Sequence, residues 1–202
     1  MPMTRRRLAM TLASLAAAPP LSARAGPASV SAFLASARAQ IGVTTLYDPS
    51  YRRLDYPMGD VPADRGVCTD VVVRAYRGIG IDLQQRVHED MAAEFGAYPR
   101  IWGLTAPDRN IDHRRVPNLQ TYFSRKGAAL GSREAYAKAQ AGDLLTWMLP
   151  GNLPHIGIVD QERSALSGLP YVVHNIGRGA AREDAQALRI FDLTGRYRYG
   201  LD

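Results

Sequence analysis

The chain predicts an α+β fold, N-terminal helices packed on a C-terminal antiparallel sheet, and two observations predict it. Up to about Ala139 the apolar residues recur at helical spacing, and after Gly142 they fall into short strand-like runs. Helices first and a sheet after, with short turns between the strands, is the order of an α+β domain.

The elements follow in chain order. From about Ala28 to Gln40, VSAFLASARAQI places Val30, Phe33, Leu34 and Ile41 at helical spacing, and Gly42 stops the helix. Residues 43–66 carry three prolines, three tyrosines and two glycines. That composition reads as an ordered loop, and one this long inside a compact domain is usually functional. A helix over 67–79 follows, with Cys68, Val72, Ala75 and Ile79 on one face and Asp70, Arg74 and Arg77 pointing away. Gly78 and Gly80 end it.

Leu83–Phe95 reads as a further helix, with Val87 and Met91 at four-residue steps. A Pro- and Arg-rich stretch from Tyr98 to Pro117 holds Trp102 and His113. Helices are then expected over about 118–126 and 132–139. Strands are expected over Asp143–Met148, His155–Val159 and Tyr171–His174, a fourth near Arg189–Asp192, and an edge strand at Tyr197–Tyr199.

The first 25 residues read as an export signal: basic MPMTRRR, a short apolar run, then Ala23-Arg24-Ala25 before a cleavage point at Gly26. Thr4–Leu8 also resembles a twin-arginine signal, and an ordinary secretory signal stays an open alternative. An exported, periplasmic or cell-envelope location follows, with no stable membrane insertion once the signal is removed. Residues 26–202 suit one domain. The signal holds four arginines and no acid, so its removal takes the formal charge from +6 to +2. The other arginines are scattered and often adjoin acids, so charge gives no support to a nucleic-acid partner.

One cysteine in an exported chain cannot form an internal disulfide, so Cys68 is either buried and inert or kept for chemistry. It lies in the first turn of its helix, where free backbone N–H groups and the positive dipole end stabilise a thiolate. Those same N–H groups can hold an oxyanion. His155 begins a strand, and alternation puts His155, Gly157 and Val159 on one face, with room at Gly157 for the Cys68 helix. His174 shares a face with Val172 on the next strand, where it can orient His155; Asn175 is the alternative if the strand ends there. Each residue also has a bland reading, a buried small apolar group or a hydrogen-bonded structural histidine. The three together, in this order, point to a cysteine nucleophile, a base and an orienter. No pair of histidines at i,i+4 and no Cys pair offers a metal site.

The motifs that follow Cys68 resemble NlpC-type cell-wall cysteine peptidases of the papain-like superfamily. The resemblance rests on Cys68 opening an apolar helix with Ala75-Tyr76, then Gly80-Ile81-Asp82-Leu83, Gly142-Asp143-Leu144, His155-Ile156-Gly157-Ile158, and His174 after Val172-Val173. Thr69-Asp70 departs from the Ser-Gly that follows the nucleophile there. The wider pattern, from YDPSY through GVCTDVV, VHEDM, NIDHRRVPNL and LPHIGIV to VHNIG, resembles bacterial domain of unknown function 1287 more closely.

The resemblance implies a papain-like fold and hydrolysis of an amide bond, with peptidoglycan stem peptide as the substrate partner. It implies Cys68 as nucleophile, His155 as base, His174 as orienter, and no metal or organic cofactor. Tyr47 or Tyr56 would be the tyrosine placed ahead of the nucleophile. Asp70 and Asp112-His113 are expected to brace loops more than to meet substrate. Two alternatives remain: a non-catalytic module that binds cell-wall glycan or peptide, and an acyltransferase or transpeptidase that resolves the same thioester.

Overall fold

The computed structural model describes residues 29–131 and 135–201. The export signal expected over residues 1–25, and the first turn of the helix expected from Ser132, lie outside them. The helices are α1 (Val30–Arg38), α2 (Cys68–Arg77), α3 (Leu83–Ala93), α4 (Val116–Arg125) and the short α5 (Ala135–Lys138). Between α1 and α2 the long loop contains only a two-residue parallel pair, β1 (Leu46–Tyr47) with β2 (Arg65–Gly66). The main sheet has β3 (Leu144–Leu149), β4 (Leu153–Arg163), β5 (Pro170–Asn175), β6 (Ala180–Asp184) and β7 (Asp192–Tyr197), in the order β6-β5-β4-β3-β7. All its pairings are antiparallel, so the α+β expectation is met.

The sheet is buried on both faces, which explains why its central strands read as nearly continuous apolar runs. One face presents Leu144, Ile156, Ile158 and Val173 to α1 and α2, where Phe33, Leu34, Val72, Ala75 and Tyr76 complete the core. The other presents Leu145, Trp147, Val159 and Val172 to Ala135, Ala139, Ala185 and Leu188. Each large side chain so buried stabilises the fold by roughly 1.5–3 kcal/mol. Among the described residues no helix is long and apolar enough to cross a membrane.

Three expectations change. Arg189–Asp192 is not a strand: a 3-10 turn over Ala185–Leu188 precedes it and β7 starts at Asp192. The strand β6 was not expected at all, because ARED lacks both alternation and β-branched residues. Asp70 does not point away from the core but is buried, for a reason given by its partners below.

Candidate active site

The helix α2 starts at Cys68 because Val67 is extended and its N–H donates to Asp70 Oδ2 at 2.7 Å. An acid in the first turn also suits the positive end of the helix dipole. Gly66 leaves the room: a Cβ there would lie 2.9 Å from Asp70 Oδ2. Arg114 then donates to Asp70 through two nitrogens, Nε to Oδ1 and Nη2 to Oδ2, both at 2.9 Å. Its remaining donors reach the Asp48 and Ser50 carbonyls at 3.1 Å, and Thr69 Oγ1 donates to the Arg114 carbonyl. Asp70 thus pins the long loop and the 98–117 segment to the head of α2. Bracing is its function in the fold.

Cys68 is 4% exposed and lines a cavity of about 210 Å³ together with Tyr47, Trp102, Arg115, Pro117 and Pro154. Backbone N–H groups of Ile156, Thr69 and Cys68 itself lie in hydrogen-bonding reach of the sulfur, yet burial outweighs them. The thiol is pushed up to about 12. The helix-terminus argument gave the Thr69 and Cys68 N–H groups but not Ile156 on β4, and it omitted desolvation, which dominates here.

His155 and His174 meet: His155 Nε2 lies 2.8 Å from His174 Nδ1, with the rings edge-to-face at 5.0 Å. Both are buried, at 2% and 0% exposure. Trp147, opposite on β3, packs its ring 5.8 Å from that of His155. Burial, then the neighbouring His174, bring His155 down to about 3. Burial also lowers His174, against the raising effect of Glu183.

Gly157 makes room on β4, but for His174 and not for the Cys68 helix. A Cβ there would lie 2.5 Å from Val172 Cγ1 and 3.1 Å from His174 Cβ. The helix α2 packs on the opposite face, against Ile156 and Ile158. The thiol meets β4 at the Ile156 N–H, one peptide from His155.

The remaining candidates separate clearly. Asn175 continues β5, so it points away from His174 and donates to the Gly66 carbonyl at 3.0 Å. Tyr47 lines the Cys68 cavity, and burial together with Cys68 and Asp70 raises its hydroxyl to about 12. Tyr56 instead packs on His88 and under Arg109. Asp112 and His113 are both buried; Asp112 accepts from the Asp108 N–H and from Arg115, while His113 Nδ1 has no hydrogen-bond partner among the described residues. Among the described residues no group of acids, histidines and cysteine is arranged to hold a metal.

The sequence reading missed two neighbours. Arg115 Cζ lies 4.1 Å from the centroid of the Trp102 ring, and both residues line the cavity. Glu183 Oε2 lies 3.2 Å from His174 Nε2, close enough for an ion pair but without a hydrogen bond between them. Glu183 sits on β6, and only recognition of that strand would have brought it to His174.

Residues 34–199 match the family model described as domain of unknown function DUF1287, a span that contains Cys68, His155 and His174. The uncharacterized protein YijF of Escherichia coli (strain K12) is 52% identical over 163 residues, 81% of this chain and 78% of that protein. Among solved structures, a Staphylococcus aureus subsp. aureus Mu50 protein described as similar to lipoprotein, NLP/P60 family, aligns over 86% of this chain. Its TM-score is 0.44 at 14% identity, and the chain spans 41% of that protein's length. The family model, matched from residue 34 to residue 199, and a relative at 52% identity across most of both chains establish that the chain belongs to the DUF1287 family.

Proposed function

We propose that the protein is an exported cysteine hydrolase that cleaves an amide bond in peptidoglycan stem peptides. The observation that carries this reading is the buried His155–His174 hydrogen bond, on a strand whose next residue, Ile156, turns its backbone N–H to a thiol that lines a cavity. The motif resemblance and the signal-like first residues supply the compartment and the substrate class.

The chemistry follows from a neutral thiol and a neutral imidazole, since burial raises the one and lowers the other. Cys68 attacks the substrate carbonyl carbon as its proton passes to His155 Nδ1, the nitrogen that His174 leaves free. The C–S bond forms and the carbonyl oxygen becomes an oxyanion. N–H groups in the first turn of α2 and the Tyr47 hydroxyl, still protonated at neutral pH, are its donors. His155 then gives the proton to the leaving amine as the C–N bond breaks. Water, deprotonated by the same imidazole, hydrolyses the thioester and restores the thiol.

Arg115 supports a substrate that carries carboxylates, as stem peptides do. Its guanidinium lies over the Trp102 ring, and among the described residues its carboxylate partner is Asp112, at 3.2 Å through Nη1, so donors remain for a ligand. The test is mass spectrometry of purified muropeptides incubated with the wild-type protein, Cys68→Ala and His155→Ala. Cleaved stem peptides from the wild type alone are expected. Products of equal yield from Cys68→Ala would refute the reading, and condensed products would make the protein an acyltransferase.

A further inference from the structure

We propose that Glu183 is the positioning residue that sets the tautomers of both histidines and so presents an unprotonated His155 Nδ1 to Cys68. The inference rests on the reading of Cys68, His155 and His174 as the reacting set and extends it by one residue. The bond between His155 Nε2 and His174 Nδ1 holds one proton, and it can hold it in two ways.

With the proton on His155 Nε2, His155 Nδ1 carries a lone pair and can accept from the thiol. His174 Nδ1 is then the acceptor, and the proton of His174 resides on Nε2. With the proton on His174 Nδ1, every position reverses. His155 Nε2 accepts, His155 carries its proton on Nδ1, and it cannot act as a base toward Cys68.

The choice is made at the far end of the chain of nitrogens. His174 Nε2 is buried and makes no hydrogen bond to any described residue, and Glu183 Oε2 is 3.2 Å away. A carboxylate there attracts an N–H and repels a lone pair, which selects the productive arrangement. Glu183 is 26% exposed on its side chain, so its carboxylate has freedom to turn an oxygen toward that N–H. Its other oxygen is held by Arg178 Nη2 at 3.2 Å. The groups that face His174 are therefore His155 on β4, Glu183 on β6 and, behind Glu183, Arg178 in the turn between β5 and β6. When His155 Nδ1 takes the thiol proton, the new positive charge is relayed through His174 toward the carboxylate.

The test reads tautomers directly, from long-range ¹H–¹⁵N correlations of the imidazoles in ¹⁵N-labelled protein at neutral pH without substrate. The wild type is expected to show both histidines protonated on Nε2 and bare on Nδ1. Glu183→Ala is expected to move His155 to the Nδ1-protonated form. Glu183→Gln, which keeps the shape but offers both a donor and an acceptor, is expected to give both forms. Muropeptide hydrolysis by Glu183→Gln should fall about tenfold in kcat with KM unchanged.

An Nδ1-protonated His155 in the wild type would overturn the proposal. So would tautomers unaltered in Glu183→Gln. These spectra need no turnover, so a protein with the expected tautomers that cleaves nothing would refute only the hydrolase reading.

Discussion

Cys68 is a thiol held in its neutral form by its surroundings. It lines the same cavity as Tyr47 and lies in reach of the Ile156 N–H, and burial sets its pKa near 12 despite three N–H groups in reach. Iodoacetamide alkylation is therefore expected to be slow at neutral pH and to rise about tenfold per pH unit through pH 10. A rate already level below pH 7 would mean a preformed thiolate–imidazolium pair. Single residues of this kind were legible in part. A lone Cys at a helix head and two histidines, one opening and one closing a strand-like run, stand out in one dimension. The balance between desolvation and N–H donation does not, because it depends on what covers the sulfur. Asp70 makes the same point: a helical wheel assigns it to solvent, and Arg114, 44 positions along the chain, takes it into the interior. Removing either partner of such a buried pair costs about 3–5 kcal/mol.

Among the elements, β4 and β5 carry the candidate chemistry, and Gly157 sets how close they come. With Val172 Cγ1 2.5 Å from where its Cβ would be, Gly157→Ala must push β5 aside and His174 with it. We expect a loss of roughly 1–3 kcal/mol in denaturant unfolding, together with loss of muropeptide cleavage. Unchanged stability and activity would show that the strands have slack. The helices α1 to α4 and the strands β3, β4 and β5 were evident from periodicity, since each is a run long enough to repeat its pattern. The strand β6 was not, because four of its five residues are half-buried at the sheet edge and it carries no alternating apolar set. Its pairing with β5 is what brings Glu183 to His174, so an error about one edge strand concealed one residue of the candidate site.

For the whole molecule, the buried titrating groups define a pH window of stability. His113 and His155 both stand near 3 in the fold, pushed down first by burial, against 6.5 ordinarily. The unfolded chain therefore binds protons that the folded one refuses. Their contribution is complete above pH 6.5 and is lost as pH falls toward 3. Cys68 acts at the other end, contributing fully below pH 9.0 and losing that contribution as pH rises toward 12. The thermal unfolding midpoint should be level between these limits and fall on both sides, the unfolding free energy dropping by a few kcal/mol per buried histidine at about pH 4. A midpoint unchanged from neutral pH to pH 4 would contradict the burial of both imidazoles. The sequence by itself determined the order of helices and strands and the residues worth placing, because periodicity and side-chain chemistry are local properties of the chain. Only the tertiary structure decided which histidine nitrogens meet, that Glu183 lies behind them, that α2 packs on the Ile156 face, and that the thiol is neutral. Those outcomes depend on strand register and desolvation, which contacts between distant parts of the chain establish.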